Sequence, residues 1–293
     1  MTEKFDKELL EKIKRFQRDE TTAYVLYTKI AKQQKNPNNK QVLLDFANEE
    51  KTHALFFEGY TGEKIKPKKF KVFWYSLLTY IFGYTFSIKT MEKNEEFTLS
   101  DYKALESIIP DIDKIIHDEV KHEQILIDMI DEERLNYVGA MVLGLNDALV
   151  ELTGTIAGLT FALQNTRLVA LSGIITGISA TLSMAASNYL AENAEGNLNA
   201  FKSSVYTGVA YLITVVLMVL PYLIFPNELY LYAFISMLII VITIIFLFNY
   251  YISIAKGQSF KRNFFTMAFI SLSVALISFV IGIIAKNFLG VDI

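Results

Sequence analysis

The sequence predicts an all-α protein: a four-helix bundle at residues 1–134 followed by a five-helix transmembrane bundle at 135–293. Three observations lead there. Charge is split unevenly, with 47 of the 59 Asp, Glu, Lys and Arg residues in the first 134 positions and 12 in the remaining 159. The second part carries uncharged runs long enough to cross a bilayer. The first part shows long 3.6-type periodicity and no alternating strand pattern.

Whole-chain composition excludes several classes. A length of 293 residues suggests about two domains. At 52% hydrophobic the chain is too apolar to be disordered. A net charge of -3 argues against a nucleic-acid partner, which would call for a basic surface. The absence of Cys removes disulfide scaffolds, thiolate nucleophiles, iron–sulfur clusters and Cys-type zinc sites together. Any metal must therefore be held by oxygen and nitrogen. The first twenty residues are charged and lack a signal-peptide core, so the first part is expected in the cytoplasm.

In that first part, breaks near 36–39, 59–67 and Pro110 give four helices at about 3–35, 39–58, 70–108 and 111–134. The stretch 72–88 has 17 uncharged residues, preceded by Lys66, Lys68, Lys69 and Lys71. It is short for a sixth span, and it reads as the front of helix three, packed on a partner subunit or lying at the membrane surface. Bundle core is the alternative.

Two E-x-x-H motifs lie here, Glu50 with His53 and Glu119 with His122. On a helix, positions i and i+3 share a face, so each motif presents a carboxylate and an imidazole to one point. One such motif in a charged helix is weak, but two in helices two and four are not. Glu20 lies 30 residues before Glu50, and Glu92 lies 27 before Glu119, so both hairpins read E…E-x-x-H. That is the ligand set of a carboxylate-bridged di-iron or di-manganese bundle. Carboxylates and imidazoles suit Fe or Mn.

In the second part, uncharged runs of 24, 25, 27 and 23 residues occupy 168–191, 203–227, 229–255 and 263–285. An earlier segment, 137–163, is equally apolar apart from Asp147 and Glu151. Five spans place the termini on opposite sides. Inner loops would carry Lys202, Lys256, Lys261 and Arg262, against Arg167 and Lys286 outside, which favours a cytoplasmic N-terminus. Asp147 and Glu151 share a helix face. Each carboxylate costs about 2.5–3.5 kcal/mol at a bilayer centre if ionised. They read as lining a cation or proton path, or as a pair neutralised or capped by neighbours. Asn146 adds a neutral oxygen, and the second span offers Met184 and Asn188. The G-x-x-x-G pairs Gly154/Gly158 and Gly173/Gly177 read as close helix packing.

Residues 1–134 resemble the rubrerythrin branch of the ferritin-like family, on the doubled E…E-x-x-H and on Glu92 with Glu95 three residues later. The resemblance implies a ferritin-like four-helix bundle with Glu20, Glu50, His53, Glu92, Glu119 and His122 as di-iron ligands. It gives Glu95 the role of a ligand that exchanges with a His as redox state changes. A rubredoxin-like iron centre needs four Cys and cannot accompany it. Residues 137–290 resemble the vacuolar iron transporter family, on V-L-G-L-N-D at 142–147 and L-S-M-A-A-S at 182–187. That resemblance implies a ferrous-iron path lined by Asp147 and Met184, exchanged for protons, in a homodimer. Asn188 departs from the Glu common in relatives. The loop 192–204 is too short for the metal-binding insert those transporters carry. The order of the two parts resembles the membrane-bound ferritin family.

The expectation is thus a proton-coupled exporter of Fe2+ or Mn2+ in the cytoplasmic membrane, with its N-terminal bundle collecting iron in the cytoplasm and its C-terminus outside. The alternatives are a membrane-anchored di-iron peroxidase or ferroxidase, and a storage or sensor protein without transport. The expected partners are metal ions, protons, lipid and a second copy, with no nucleic acid.

Overall fold

The computed structural model describes residues 6–103, 105–106, 108–129 and 133–289, with the side chains of 94–100, 121–134 and 289 outside that description. The chain divides into two compact units, Met1–Glu133 and Arg134–Ile293. The described residues are helical, with no strand among them.

In the first unit, α1 (Lys7–Gln33) and α2 (Pro37–Thr61) pair along their length. Asn36 sets the corner between them. Its side-chain oxygen accepts from Asn38 N at 2.9 Å and Asn39 N at 3.4 Å. Pro37 takes the first helical position, where no N–H is needed. Gly62 ends α2 with φ +68°, a left-handed conformation that favours glycine.

The single helix expected over 70–108 is instead α3 (Lys69–Phe82) and α4 (Tyr84–Lys103). Gly83 separates them with φ +93° and ψ 164°, which L residues rarely adopt. Ser87 Oγ donates to the carbonyl of Tyr75 at 2.8 Å, twelve residues back. A straight helix would hold those groups about 18 Å apart, so the chain folds back at Gly83. The fourth long helix, α5, covers Ile112–Met129.

The core of this unit is two apolar clusters with a polar layer between them. One cluster joins Leu26, Tyr27 and Ile30 of α1, Leu43 and Phe46 of α2, Tyr75 of α3 and Ile88 of α4. The other joins Ile13 and Phe16 of α1, Phe57 of α2, Tyr102 of α4, and Ile112 and Ile115 of α5. Glu20 on α1, and Glu50 and His53 on α2, fall between the two sets along their helices and are buried.

In the second unit, α6 (Glu133–Asn136) straddles the boundary and leads into the first span. That span is α7 (Val138–Asp147), one π-helical turn (Ala148–Leu152) and α8 (Thr153–Leu163). The others are α9 (Thr166–Ala194), α10 (Ala200–Ile224), α11 (Tyr230–Lys256, after a 3-10 turn at Asn227–Leu229) and α12 (Phe260–Leu289). All five spans, of 25 to 30 residues, are long and apolar enough to cross a bilayer. The glycine pairs serve close packing as expected. A methyl group at Gly177 would overlap Val215, and α12 approaches Gly158 so closely that one at Gly282 would overlap its carbonyl.

Candidate metal centre and membrane path

The polar layer of the first unit brings together Glu20 from α1, Glu50 and His53 from α2, and Glu119 from α5. All four are buried, and one ligand atom from each lies within 4.8 Å of all the others. His53 Nδ1 stands 3.2 Å from Glu119 Oε1 and 3.6 Å from Glu20 Oε2. Its Nε2 stands 3.4 Å from Asp118 Oδ2. Burial alone would lower the imidazole pKa, but Glu119 and Glu20 outweigh it and raise it to about 10. Burial likewise pushes the Glu20 carboxyl up, while hydrogen bonds with His53, Glu50 and Tyr102 bring it below its ordinary value. The layer thus favours a positive centre surrounded by carboxylates.

Two phenols orient this layer. The Tyr102 hydroxyl donates to Glu20, and the Tyr27 hydroxyl donates to Glu92. Glu92 is buried on α4, outside the four-residue group. The side chains of Glu95 and His122 lie outside the described residues. Three carboxylates and an imidazole at this spacing can hold a metal ion. The burial of all four between apolar clusters supports this fit, because three carboxylates and an imidazole packed together away from the surface call for a compensating cation. Sequence reasoning missed Tyr27, Tyr102 and Asp118. Tyr27 follows Glu20 by seven residues on the same helix face, and that spacing was the available signal.

In the second unit, Asn146 and Asp147 are half-buried at the end of α7. Glu151 lies in the π-helical turn, is exposed, and accepts a hydrogen bond from Tyr211 at 3.2 Å. Such turns recur at functional sites. Met184 is half-buried on α9.

Asn188, one turn further on, is buried. It donates to Ser203 Oγ at 3.0 Å, which in turn donates to Glu192 Oε1 at 3.0 Å. Asn197 Nδ2 donates to Glu192 Oε2 at 2.5 Å. These residues line a cavity of about 360 Å3 between the start of α7, the end of α9 and the start of α10. Buried hydroxyls continue along α10 from Ser203 through Thr207, Tyr211 and Thr214 to Tyr222, which pairs with Thr160 at 2.7 Å. Glu192, Ser203 and Tyr211 were not singled out from the sequence. Glu192 follows Asn188 by four residues, the spacing that places both on one face.

Five helices long and apolar enough to cross a bilayer mark a multi-pass membrane protein. The VIT family model matches residues 138–200, covering the first two spans and the turn into the third. Together with the five spans this fits a vacuolar iron transporter membrane domain and points to transport of metal ions. No curated protein and no solved structure matches the chain.

Proposed function

We propose that this chain is an exporter of Fe2+, with Mn2+ as a related cargo, that works in exchange for protons in the cytoplasmic membrane. Its first unit is a ferritin-like, rubrerythrin-type di-iron bundle on the cytoplasmic side, which collects the metal. The observation that carries this reading is the buried Glu20–Glu50–His53–Glu119 cluster in the same chain as a VIT-matching membrane unit.

Glu20, Glu50, His53 and Glu119 would hold the resident metal, with Glu92, Glu95 and His122 completing a two-metal set. Iron bound there would supply a redox-active centre. The chain's own residues provide the rest. Tyr102 and Tyr27 aim Glu20 and Glu92, Asp118 steadies the far nitrogen of His53, and the apolar clusters keep water out.

In the membrane unit, the Asn188–Ser203–Glu192 cavity receives the cation, and Asp147 and Glu151 provide carboxylates that ligate it or carry protons. Met184 contributes a soft ligand, and Asn146 a neutral oxygen. Glu151 sits mid-span yet exposed on a single copy, where lipid contact would cost an ionised carboxylate about 2.5–3.5 kcal/mol. A second copy that brought polar groups to that face would offset the cost, which supports a homodimer. Lys202, Lys256, Lys261 and Arg262 favour a cytoplasmic N-terminus and an outer C-terminus.

Total cell iron tests the direction. Under iron load, cells producing the chain should hold less iron than control cells, and Asp147→Asn, expressed and inserted to the same level, should abolish the difference. Equal or higher iron in cells producing the wild type would contradict export.

A further inference from the structure

Helix α3 has two unlike faces. Tyr75 and Thr79 are buried on one, and Tyr75 joins the cluster built from α1, α2 and α4. The other face carries Phe70, Phe73, Trp74, Leu77 and Ile81, which recur at helical spacing in a stripe about 100° wide. Phe70 is 76% exposed, Phe73 61% and Ile81 53%, and Tyr80 beside the stripe is 81% exposed. An exposed apolar stripe of this kind calls for a cover.

Charge around the stripe indicates what covers it. From residue 64 to residue 91 there is no Asp or Glu, while Lys64, Lys66, Lys68, Lys69, Lys71 and Lys89 all fall there. Lys68 and Lys71 reach Asp19 at 2.6 and 3.3 Å. Lys64, Lys66 and Lys69 are exposed at the N-terminal end of the helix. A second copy would bring the same acid-free segment and no counter-charge from it. Anionic headgroups offer counter-charge, and Trp and Tyr favour the boundary between headgroups and acyl chains. At 14 residues, α3 is about 21 Å long, too short to span a bilayer but suited to lying in its surface. The chain's five spans require such a bilayer.

We propose that α3 is a membrane-surface helix, with its Phe70–Phe73–Trp74–Leu77–Ile81 face in the headgroup region of an anionic leaflet and Lys64, Lys66 and Lys69 on lipid phosphates. This reading is independent of the metal and of transport. It makes the first unit a peripheral membrane body in its own right.

Trp74 is the single Trp of the chain, so its fluorescence reports on this face directly. The full chain is reconstituted into vesicles of phosphatidylglycerol and phosphatidylcholine whose acyl chains carry bromine either near the headgroup or near the bilayer centre. Trp74 should be quenched more strongly by the shallow bromine than by the deep one, and should be poorly reached by aqueous acrylamide. In purely zwitterionic vesicles, or with Lys64, Lys66 and Lys69 all changed to Glu, bromine quenching should fall about twofold or more, since a lysine near an anionic surface contributes on the order of fivefold to partitioning. Ready quenching by acrylamide with none by bromine in anionic vesicles would overturn the proposal and leave the face in water. Protection from both quenchers would overturn it in favour of a second copy. Each result is read on the wild-type protein, whatever the variant does.

Discussion

Removing one hydroxyl, by Tyr102→Phe, isolates the hydrogen bond that orients Glu20. The Tyr102 ring lies 4.6 Å from Phe16 and 5.8 Å from Phe57, centroid to centroid, and Phe keeps both contacts. The donor to the buried Glu20 carboxylate is lost. A hydrogen bond to a charged group is worth about 1.5–3 kcal/mol, so the metal-free first unit should lose about 2 kcal/mol of stability. Groups that support metal ligands typically contribute 10–100-fold to affinity, and the variant should bind Mn(II) or Fe(II) about 10-fold more weakly or worse. The assay is metal titration of the purified full chain, with hydrogen exchange of α1 and α4 amides reporting local stability. Glu20→Gln provides the control, because Tyr102→Phe should add little once the charge on Glu20 is gone. Wild-type affinity together with unchanged exchange would refute the assignment of Tyr102 as the group that holds Glu20.

Two further perturbations probe the membrane unit. Tyr211→Phe removes the donor that stands 3.2 Å from Glu151, and metal flux should fall about tenfold, for a hydrogen bond worth about 1.4 kcal/mol, while insertion and yield stay normal. Wild-type flux would show that Tyr211 does not act on Glu151. Gly177→Ala sets a methyl that overlaps Val215 Cγ1 and lies 3.0 Å from its Cγ2, which should cost about 1–3 kcal/mol, and Val215→Ala should restore most of it. Detergent-resistant thermal melting of the pair, with no rescue in the double variant, would contradict the α9–α10 packing.

What the sequence made legible follows from how local each signal is. The five spans are visible because a bilayer demands long uncharged runs, which a linear scan detects. Glu50, His53 and Glu119 are visible because an i, i+3 motif needs only helical geometry, and Glu20 because a similar hairpin spacing recurs ahead of each motif, which narrows the chemistry. The corner at Gly83 was hidden because apolar residues continue through it without a change of period, and a single Gly inside such a run does not announce a fold-back. The π-helical turn at Ala148–Leu152 shifts the helix register by a fraction of a turn, too little to disturb hydropathy. Tyr27 and Tyr102 read as core because their rings are core, and only tertiary packing reveals where each hydroxyl points. Glu192, Asn188 and Ser203 meet across two helices and a turn, and no local pattern records a hydrogen bond of that kind.

The central claim is that this chain moves a divalent metal across a membrane in exchange for protons, using Asp147. The direct measurement is flux in inside-out vesicles containing the full chain, with Fe(II) or Mn(II) entry and lumenal pH followed together. The account predicts metal entry accompanied by lumenal alkalinisation as protons leave. It also predicts that Asp147→Asn, which is nearly isosteric but cannot exchange a proton, loses both signals while remaining folded and inserted. Metal entry at the wild-type rate in Asp147→Asn, or no entry above empty vesicles in the wild type, would contradict it.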